Sequence, residues 1–331
     1  MRYLLNNSTD PYFNMALDEF CLENIFSEEP YFFLWRNRPS VIIGLNQNAY
    51  SEVNLDYLNS HGITLARRVT GGGAVYHDLQ NLNYTIISPL NCHPEQDCHP
   101  ERSEGSTPAP IVAALRKLGV PAELTGRNDI FVEGRKVSGF ARRVSKQQEI
   151  IHGTLMYDVD IDTLTRVLDT PGSKMQAKGI ESVKSRVANL KDYLPGFKSL
   201  DEVQAALQSI LAGGDSKMEL TGNQLSEVQR IADEKFSTWD FIYGRSRQAD
   251  LVRRAKLPCG TVEAAISLDR GVITSITFSG DFLFEEPTTD LESKLTGCRF
   301  ELAALACVLD DATVSRCFPG ANSTDVLDLL S

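Results

Sequence analysis

Apolar residues at positions 13, 17, 20 and 21 recur at helical spacing in the stretch STDPYFNMALDEFCLENIF, and so predict a helix. Asp10 sits at the N-cap position and Pro11 at the first helical position, where a missing N–H does no harm. YFFLWR and SVIIGL are short apolar runs rich in aromatic and β-branched residues, which predict strands. NLNYTIIS, Asn81 to Ser88, begins with alternation and reads as another strand, as does EIIHGTLMYDV. DIFVEGRKVSGFARR reads as a hairpin turning at Glu133 and Gly134, and APIVAALRKLGV as a helix ended by Gly119. The chain from 199 to 235 is helical by period, with a break at AGGDSK. The polar, basic stretch RSRQADLVRRAKLP reads as a linker, and beyond it two strands about Asp269 to Gly271 precede helices. The domain reading is a large unit over 1–245, a linker over 246–258 and a small α+β unit over 259–331.

Length and composition narrow the class of protein. With 331 residues, 42% hydrophobic and 23% charged, the chain reads as an ordinary globular protein with a large core. No apolar run approaches the roughly 18 residues of a membrane span. The N-terminus lacks the apolar core and cleavage site of a secretory signal, so the expected location is the cytoplasm. Seven scattered cysteines lack the spacing of a disulfide framework and read as reduced, mostly buried thiols. A net charge of −11 argues against a general nucleic-acid binder, which needs a basic face.

Two stretches carry candidate chemistry. RRVTGGGAVYHD, Arg67 to Asp78, has neither the lysine of a P-loop nor the spacing of a dinucleotide fingerprint. Three residues without Cβ nevertheless let a ligand approach the main chain, and exposed N–H groups there can cradle an anion. Arg67 and Arg68 add forked positive charge suited to carboxylate or phosphate. A tight turn beside a solvated arginine pair accounts for the same residues. In GRKVSG, strand alternation sends Lys136 to the face opposite Arg135 and Val137, so if Val137 packs into a core, Lys136 faces a cleft. The segment 91–110 contains two Cys-His pairs, Cys92-His93 and Cys98-His99, without zinc-ligand spacing, and reads as a surface loop. No HExxH or G-x-S-x-G pattern occurs.

Five ordered stretches, RRVTGGGAVYHD, GRNDIFVEGRKVSG, HGTLM, AKGIESVKSRVANL and FSTWDFIYG, together resemble the lipoate-protein ligases, and the resemblance runs from the first helix to the end of the chain. It implies an α+β fold: a large domain with a mixed β-sheet flanked by helices, related to biotin-protein ligases and class II synthetases, plus a small α+β C-terminal domain. It also implies the chemistry of such a ligase. Lipoate and ATP, with magnesium, give lipoyl-AMP, and the lipoyl group then passes to a lysine of a lipoyl domain. The implied acceptors are acyltransferase subunits of 2-oxoacid dehydrogenases and the glycine-cleavage H protein, and the implied state is a monomer that binds neither nucleic acid nor membrane.

The residues that match the family carry its roles. Lys136 is the expected catalytic charge, holding the α-phosphate and acyl oxygen together. Arg68, Thr70, Gly71, Gly72, Gly73 and Val75 are expected to hold the lipoyl group, with Arg68 also at the phosphate. His77, Asp78, Leu79 and Asn83 match the adenine-side segment, and His152 lies on a strand that either lines the site or supports it. Asp129 is the expected magnesium contact, supported by Asn128. Thr70 stands where some relatives carry serine, and either hydroxyl can donate to phosphate. An acidic enzyme meeting acidic lipoyl domains also suggests a local basic patch at Arg142, Arg143 and Lys146. Two other readings are an ATP-independent octanoyl or lipoyl acyltransferase and a non-catalytic lipoate-binding protein. The first needs a cysteine nucleophile, and no cysteine lies between Cys98 and Cys259. The second has no use for Lys136 and Asp129.

Overall fold

Three sheets organise the chain in the computed structural model, which describes residues 1–90, 107–125, 128–145, 147–168, 185–212, 217–244 and 249–330. The largest has eight strands. They are β1 (Arg2–Leu4), β2 (Tyr31–Trp35), β6 (Asn81–Pro89), β7 (Ala122–Thr125), β8 (Asp129–Val132), β9 (Arg135–Val144), β10 (Gln148–Met156) and β11 (Lys217–Met218), in the spatial order β11-β1-β2-β6-β10-β9-β8-β7. β11, β1 and β2 run parallel and the remaining pairs antiparallel, so the sheet is mixed as expected. A second sheet, β4-β3-β5, is built from β3 (Ser40–Ile43), β4 (Thr64–Arg67) and β5 (Val75–His77).

Alternation along β2 explains the layering. Phe32 and Leu34 bury into a core shared with the helices Ala109–Lys117 and Leu200–Ala212. Tyr31, Phe33 and Trp35 point the other way, into a core shared with the helix Pro11–Asn24. That helix starts as the sequence requires: Pro11 opens it, and the Asp10 side chain accepts from the Tyr12 and Phe13 N–H groups. Its buried face contains two polar residues one turn apart, Asn14 and Asp18. The hairpin also matches its reading. Glu133 and Gly134 have φ of 50° and 76°, a left-handed pair that joins β8 to β9. Val137 is fully buried in the first core, and Lys136 is left on the opposite side.

Of the stretch expected to be a linker over 246–258, Leu251–Leu257 is part of the small domain, and 246–248 lie outside the described residues. Leu251–Leu257 forms a strand, β12, that pairs along its whole length with β13 (Gly260–Asp269), which pairs in turn with β14 (Val272–Gly280). Its inward positions, Leu251, Arg253, Ala255 and Leu257, alternate with exposed Val252, Arg254 and Lys256. With an arginine among the inward residues and a valine among the outward ones, the apolar alternation is hard to see in composition. Helices Thr289–Leu295, Leu302–Ala306, Asp311–Cys317 and Ser323–Leu330 complete this unit around its own core. The described cysteines are free thiols: Cys21, Cys259 and Cys317 are buried, Cys298 is half-buried and Cys307 is exposed. The two Cys-His pairs lie outside the described residues. Among the described residues no helix is long and apolar enough to cross a membrane.

Candidate active site

Strand registers line up a polar row across five strands. Asp129 faces Gly139, whose N–H meets the Thr154 hydroxyl at 3.2 Å. Thr154 faces Asn83, and Asn83 faces Trp35. The next row places Ala141, His152 and Thr85 side by side. Over these rows lies a cavity whose lining includes Lys136, Asn128, Asn83, Thr154, His77 and Arg68 at polar positions, and Met15, Trp35, Ile42, Val75, Phe140 and Ala141 at apolar ones. The second sheet brings Ile42, Arg68, Val75 and His77 to the site, and the first helix brings Met15.

Lys136 reaches back along its strand. Its Nζ lies 2.7 Å from Asp129 Oδ1, and a Cβ on Gly139 would stand 3.1 Å from that Nζ. The small residue in SGF therefore leaves the ammonium room above the strand. The backbone of Lys136 is held in turn: its carbonyl accepts from the Ala188 N–H at 3.0 Å, beside a parallel bridge to Val187. The end of the AKGIESVKSRVANL stretch thus braces the lysine strand, and its earlier part, 177–184, lies outside the described residues. The Asn128 side chain donates to the Phe140 carbonyl at 3.2 Å, which fixes it at the same end of the cavity.

The two arginines before the glycines part company. Arg68 faces the cavity, but much of its fork is occupied within the loop: Nε meets Thr70 Oγ1 at 3.0 Å, Nη1 the Ile42 carbonyl at 3.1 Å, and Nη2 the Gly71 and Gly73 carbonyls at 2.6 and 2.9 Å. Burial pulls its pKa down to about 10, which leaves it charged at neutral pH. Arg67 is not a site residue. It is fully buried and donates to the carbonyls of Gly44, Leu45, Gln47, Phe241 and Ile242. Adjacent strand residues point to opposite faces, so only one of the pair can meet a ligand.

The glycine triplet divides its work. Gly72 has φ of +90°, a left-handed conformation open to glycine, and its N–H donates to the Phe282 carbonyl of the small domain at 3.2 Å. A Cβ on Gly71 would come within 2.4 Å of that same carbonyl. Gly72 and Gly73 line the cavity, whereas Gly71 and Thr70 lie behind it. The expectation that three residues without Cβ let a ligand approach the main chain therefore suits Gly72 and Gly73, whereas Gly71 abuts the small domain. Gly71→Ala is expected to cost about 1–3 kcal/mol by overpacking at this seam. Faster hydrogen exchange at Phe282 to Phe284, with the large sheet unchanged, is the expected readout, and identical exchange would contradict it.

Behind the loop, Thr70 Oγ1 lies 2.7 Å from His152 Nε2, and His152 Nδ1 lies 2.6 Å from Asp18 Oδ2. Asp18 Oδ1 accepts from the Thr85 hydroxyl at 2.8 Å, to which Trp35 Nε1 donates at 2.9 Å. His152 thus lines the cavity and also ties the glycine loop to the sheet. Asp78 and Leu79 lie apart from the cavity. Asp78 accepts from the backbone N–H groups of Gln80 and Asp160, and Leu79 is exposed. The proposed basic patch is paired: Arg142 contacts Glu149 at 2.6 Å and Arg143 contacts Glu23 at 3.5 Å, while Lys146 lies outside the described residues. Sequence reasoning missed Asp18, Asn14 and Trp35. Two polar residues spaced i, i+4 on an otherwise apolar helix face were the available signal.

Comparison with known proteins gives one family. A model described as the lipoyl protein ligase A/B catalytic domain matches residues 10–212, and one described as the bacterial lipoate protein ligase C-terminus matches 246–330. The chain is 35% identical to lipoate-protein ligase LplJ of Bacillus subtilis (strain 168), over 98% of both chains. A bi-partite lipoate protein ligase of Thermoplasma acidophilum, from a structural study of it and its E2 lipoyl domain, is 32% identical with a TM-score of 0.63, covering 76% of this chain and 98% of that one. A lipoate-protein ligase A solved with ATP bound is 32% identical with a TM-score of 0.60, covering 73% and 98%. The chain belongs to the lipoate-protein ligase family.

Proposed function

We propose that this protein activates lipoate with ATP, releasing pyrophosphate, and passes the lipoyl group from lipoyl-AMP to a lysine of a lipoyl domain. The observation that carries the reading is the position of Lys136, an ammonium half-exposed in a cavity lined by both polar and apolar side chains. A carboxylate is a poor electrophile, and bringing it onto an α-phosphate forces two anions together, so fixed positive charge is needed at that point. Lys136 supplies it, and Arg68 adds a second charge at the loop. Met15, Trp35, Ile42 and Val75 suit an aliphatic chain. Four methylenes buried at about 0.8 kcal/mol each contribute roughly 3 kcal/mol.

Magnesium would be held by Asp129. One carboxylate suits a cation that takes its other oxygens from phosphate and water, and among the described residues no three His, Cys, Asp or Glu side chains gather as a closed metal site. When bound, the ion would neutralise phosphate charge. The acceptors would be acyltransferase subunits of 2-oxoacid dehydrogenases and the glycine-cleavage H protein, met by a cytoplasmic monomer. The acyltransferase alternative is disfavoured because among the described residues no cysteine lines the cavity. Cys21, on the first helix, is fully buried, and burial raises its thiol pKa far above the ordinary value.

The test is direct: purified protein, lipoate, ATP, magnesium and an apo lipoyl domain, followed by intact mass of the domain. A lipoyl adduct that requires ATP is expected. Transfer without ATP, or ATP-dependent binding with no adduct, would overturn the proposal.

A further inference from the structure

One ring in the cavity has its protonation dictated by the backbone around it. His77 is buried, with Nδ1 3.1 Å from Asn37 Nδ2, while its Nε2 has no hydrogen-bond partner among the described residues. The direction of that contact can be traced to groups that cannot turn over. The Ser8 N–H, a donor only, meets Asn6 Oδ1 at 3.0 Å, so Asn6 presents Nδ2 to Asn14 Oδ1 at 2.9 Å. Asn14 therefore presents its own Nδ2 to three acceptors: the carbonyls of Ser8 at 3.1 Å and Arg36 at 3.2 Å, and Asn37 Oδ1 at 2.8 Å. Asn37 is left with Nδ2 facing His77.

Asn14 and Asn37 are both fully buried, and turning either amide over would set like groups against each other without water to relieve them. His77 Nδ1 must then be the bare nitrogen and Nε2 the one that carries hydrogen. Trp35, edge-on to the ring with centroids 6.0 Å apart, fixes its tilt. Burial, with Arg68 and His152 adding to it, pushes the pKa of His77 down to about 3, so the ring stays neutral near pH 7. Asn83 stands at the same cavity. Its Oδ1 accepts from Asn81 Nδ2 at 2.8 Å, and its Nδ2 is buried with no partner among the described residues. Buried donors are normally satisfied, so two without a protein acceptor point to one brought by the ligand.

We propose that His77 Nε2–H and Asn83 Nδ2–H together hold an uncharged acceptor atom of the substrates, and that Asn37 and Asn14 are positioning residues that lock the His77 tautomer. The tautomer stands on the amide chain alone, and the nature of the ligand rests on the ligase reading above. An uncharged acceptor could be a carbonyl oxygen of the acyl group or a ring nitrogen or ribose oxygen of the nucleotide. The two sources can be separated by experiment.

Full-length protein labelled with 15N-histidine should give, at the signals lost in His77→Gln, a bare Nδ1 and a protonated Nε2 that do not change across neutral pH. Asn37→Asp, which replaces the donor with a carboxylate, should put a proton on Nδ1. A protonated Nδ1 in the unsubstituted protein would overturn the tautomer assignment whether or not the ligase reading holds. Calorimetric titrations of ATP alone and lipoate alone then address the clasp. His77→Phe, which keeps a ring but removes the donor, should weaken one of the two by on the order of 10-fold. Loss confined to ATP places the acceptor on the nucleotide, and loss confined to lipoate places it on the acyl group. Equal affinity for both in a folded His77→Phe, or equal loss of both, would overturn the clasp.

Discussion

Lys136→Ala is expected to lower lipoate-dependent pyrophosphate release by on the order of 100-fold to 1,000-fold while the thermal unfolding midpoint stays in place. Both parts follow from the geometry. The ion pair with Asp129 is about a third exposed on each side, 37% and 26%, so solvent screens it and its loss costs the fold little. The same opening lets the ammonium reach two anions in the cavity, where nothing else on β9 can replace it. Arg135, its neighbour, is turned away onto the Tyr193 hydroxyl at 2.6 Å. Lys136→Arg should recover only part of the rate, since a planar fork does not place charge where a compact ammonium does. Normal pyrophosphate release from folded Lys136→Ala would remove the residue from the reaction.

Arg67→Ala should do the opposite, costing at least about 3 kcal/mol of stability in denaturant unfolding. Its guanidinium serves five backbone carbonyls in a fully buried place, and none of them can turn to water without opening the loop at 44–47 or the helix Trp239–Tyr243. The loop also carries Asn46, whose carbonyl accepts from the Gly280 N–H of the small domain at 2.9 Å. The damage should therefore spread to the domain seam. A loss below about 1 kcal/mol would mean that the carbonyls find other donors. The contrast with Arg68, one residue away and facing the cavity, is a direct product of strand alternation.

Local features were the most legible in the sequence. The cap at Asp10, the turn at Glu133 and Gly134, and the strand from Asn81 that follows the glycine loop each depend on a few neighbouring residues. Lys136 was placed by the same short-range logic, because burial of Val137 decides which way its neighbour points. The order of the eight-stranded sheet was not legible: β11 pairs with β1 across more than two hundred residues, and its first residue, Lys217, lies in a stretch read only as a break between helices. β12 was missed because Arg253 stands among its inward residues and Val252 among its outward ones, which hides the apolar alternation. Arg67 and Gly71 lie off the cavity for a reason that the motif does not carry. A motif shows which residues are needed but not on which side of the chain each is used. The buried network of Asp18, His152 and Thr70 joins three distant segments, and only the folded chain brings them together.

The glycine loop is a thin partition with a ligand on one side and a neighbouring domain on the other. Gly73 borders the cavity, Gly71 abuts Phe282, and Gly44 lacks a side chain where one would strike the Gly72 carbonyl. Substitutions chosen to reshape the acyl pocket from this wall would also alter how firmly the two halves of the enzyme adhere. Attempts to broaden substrate range would do better to begin at Ala141, which lines the cavity from β9, away from that partition.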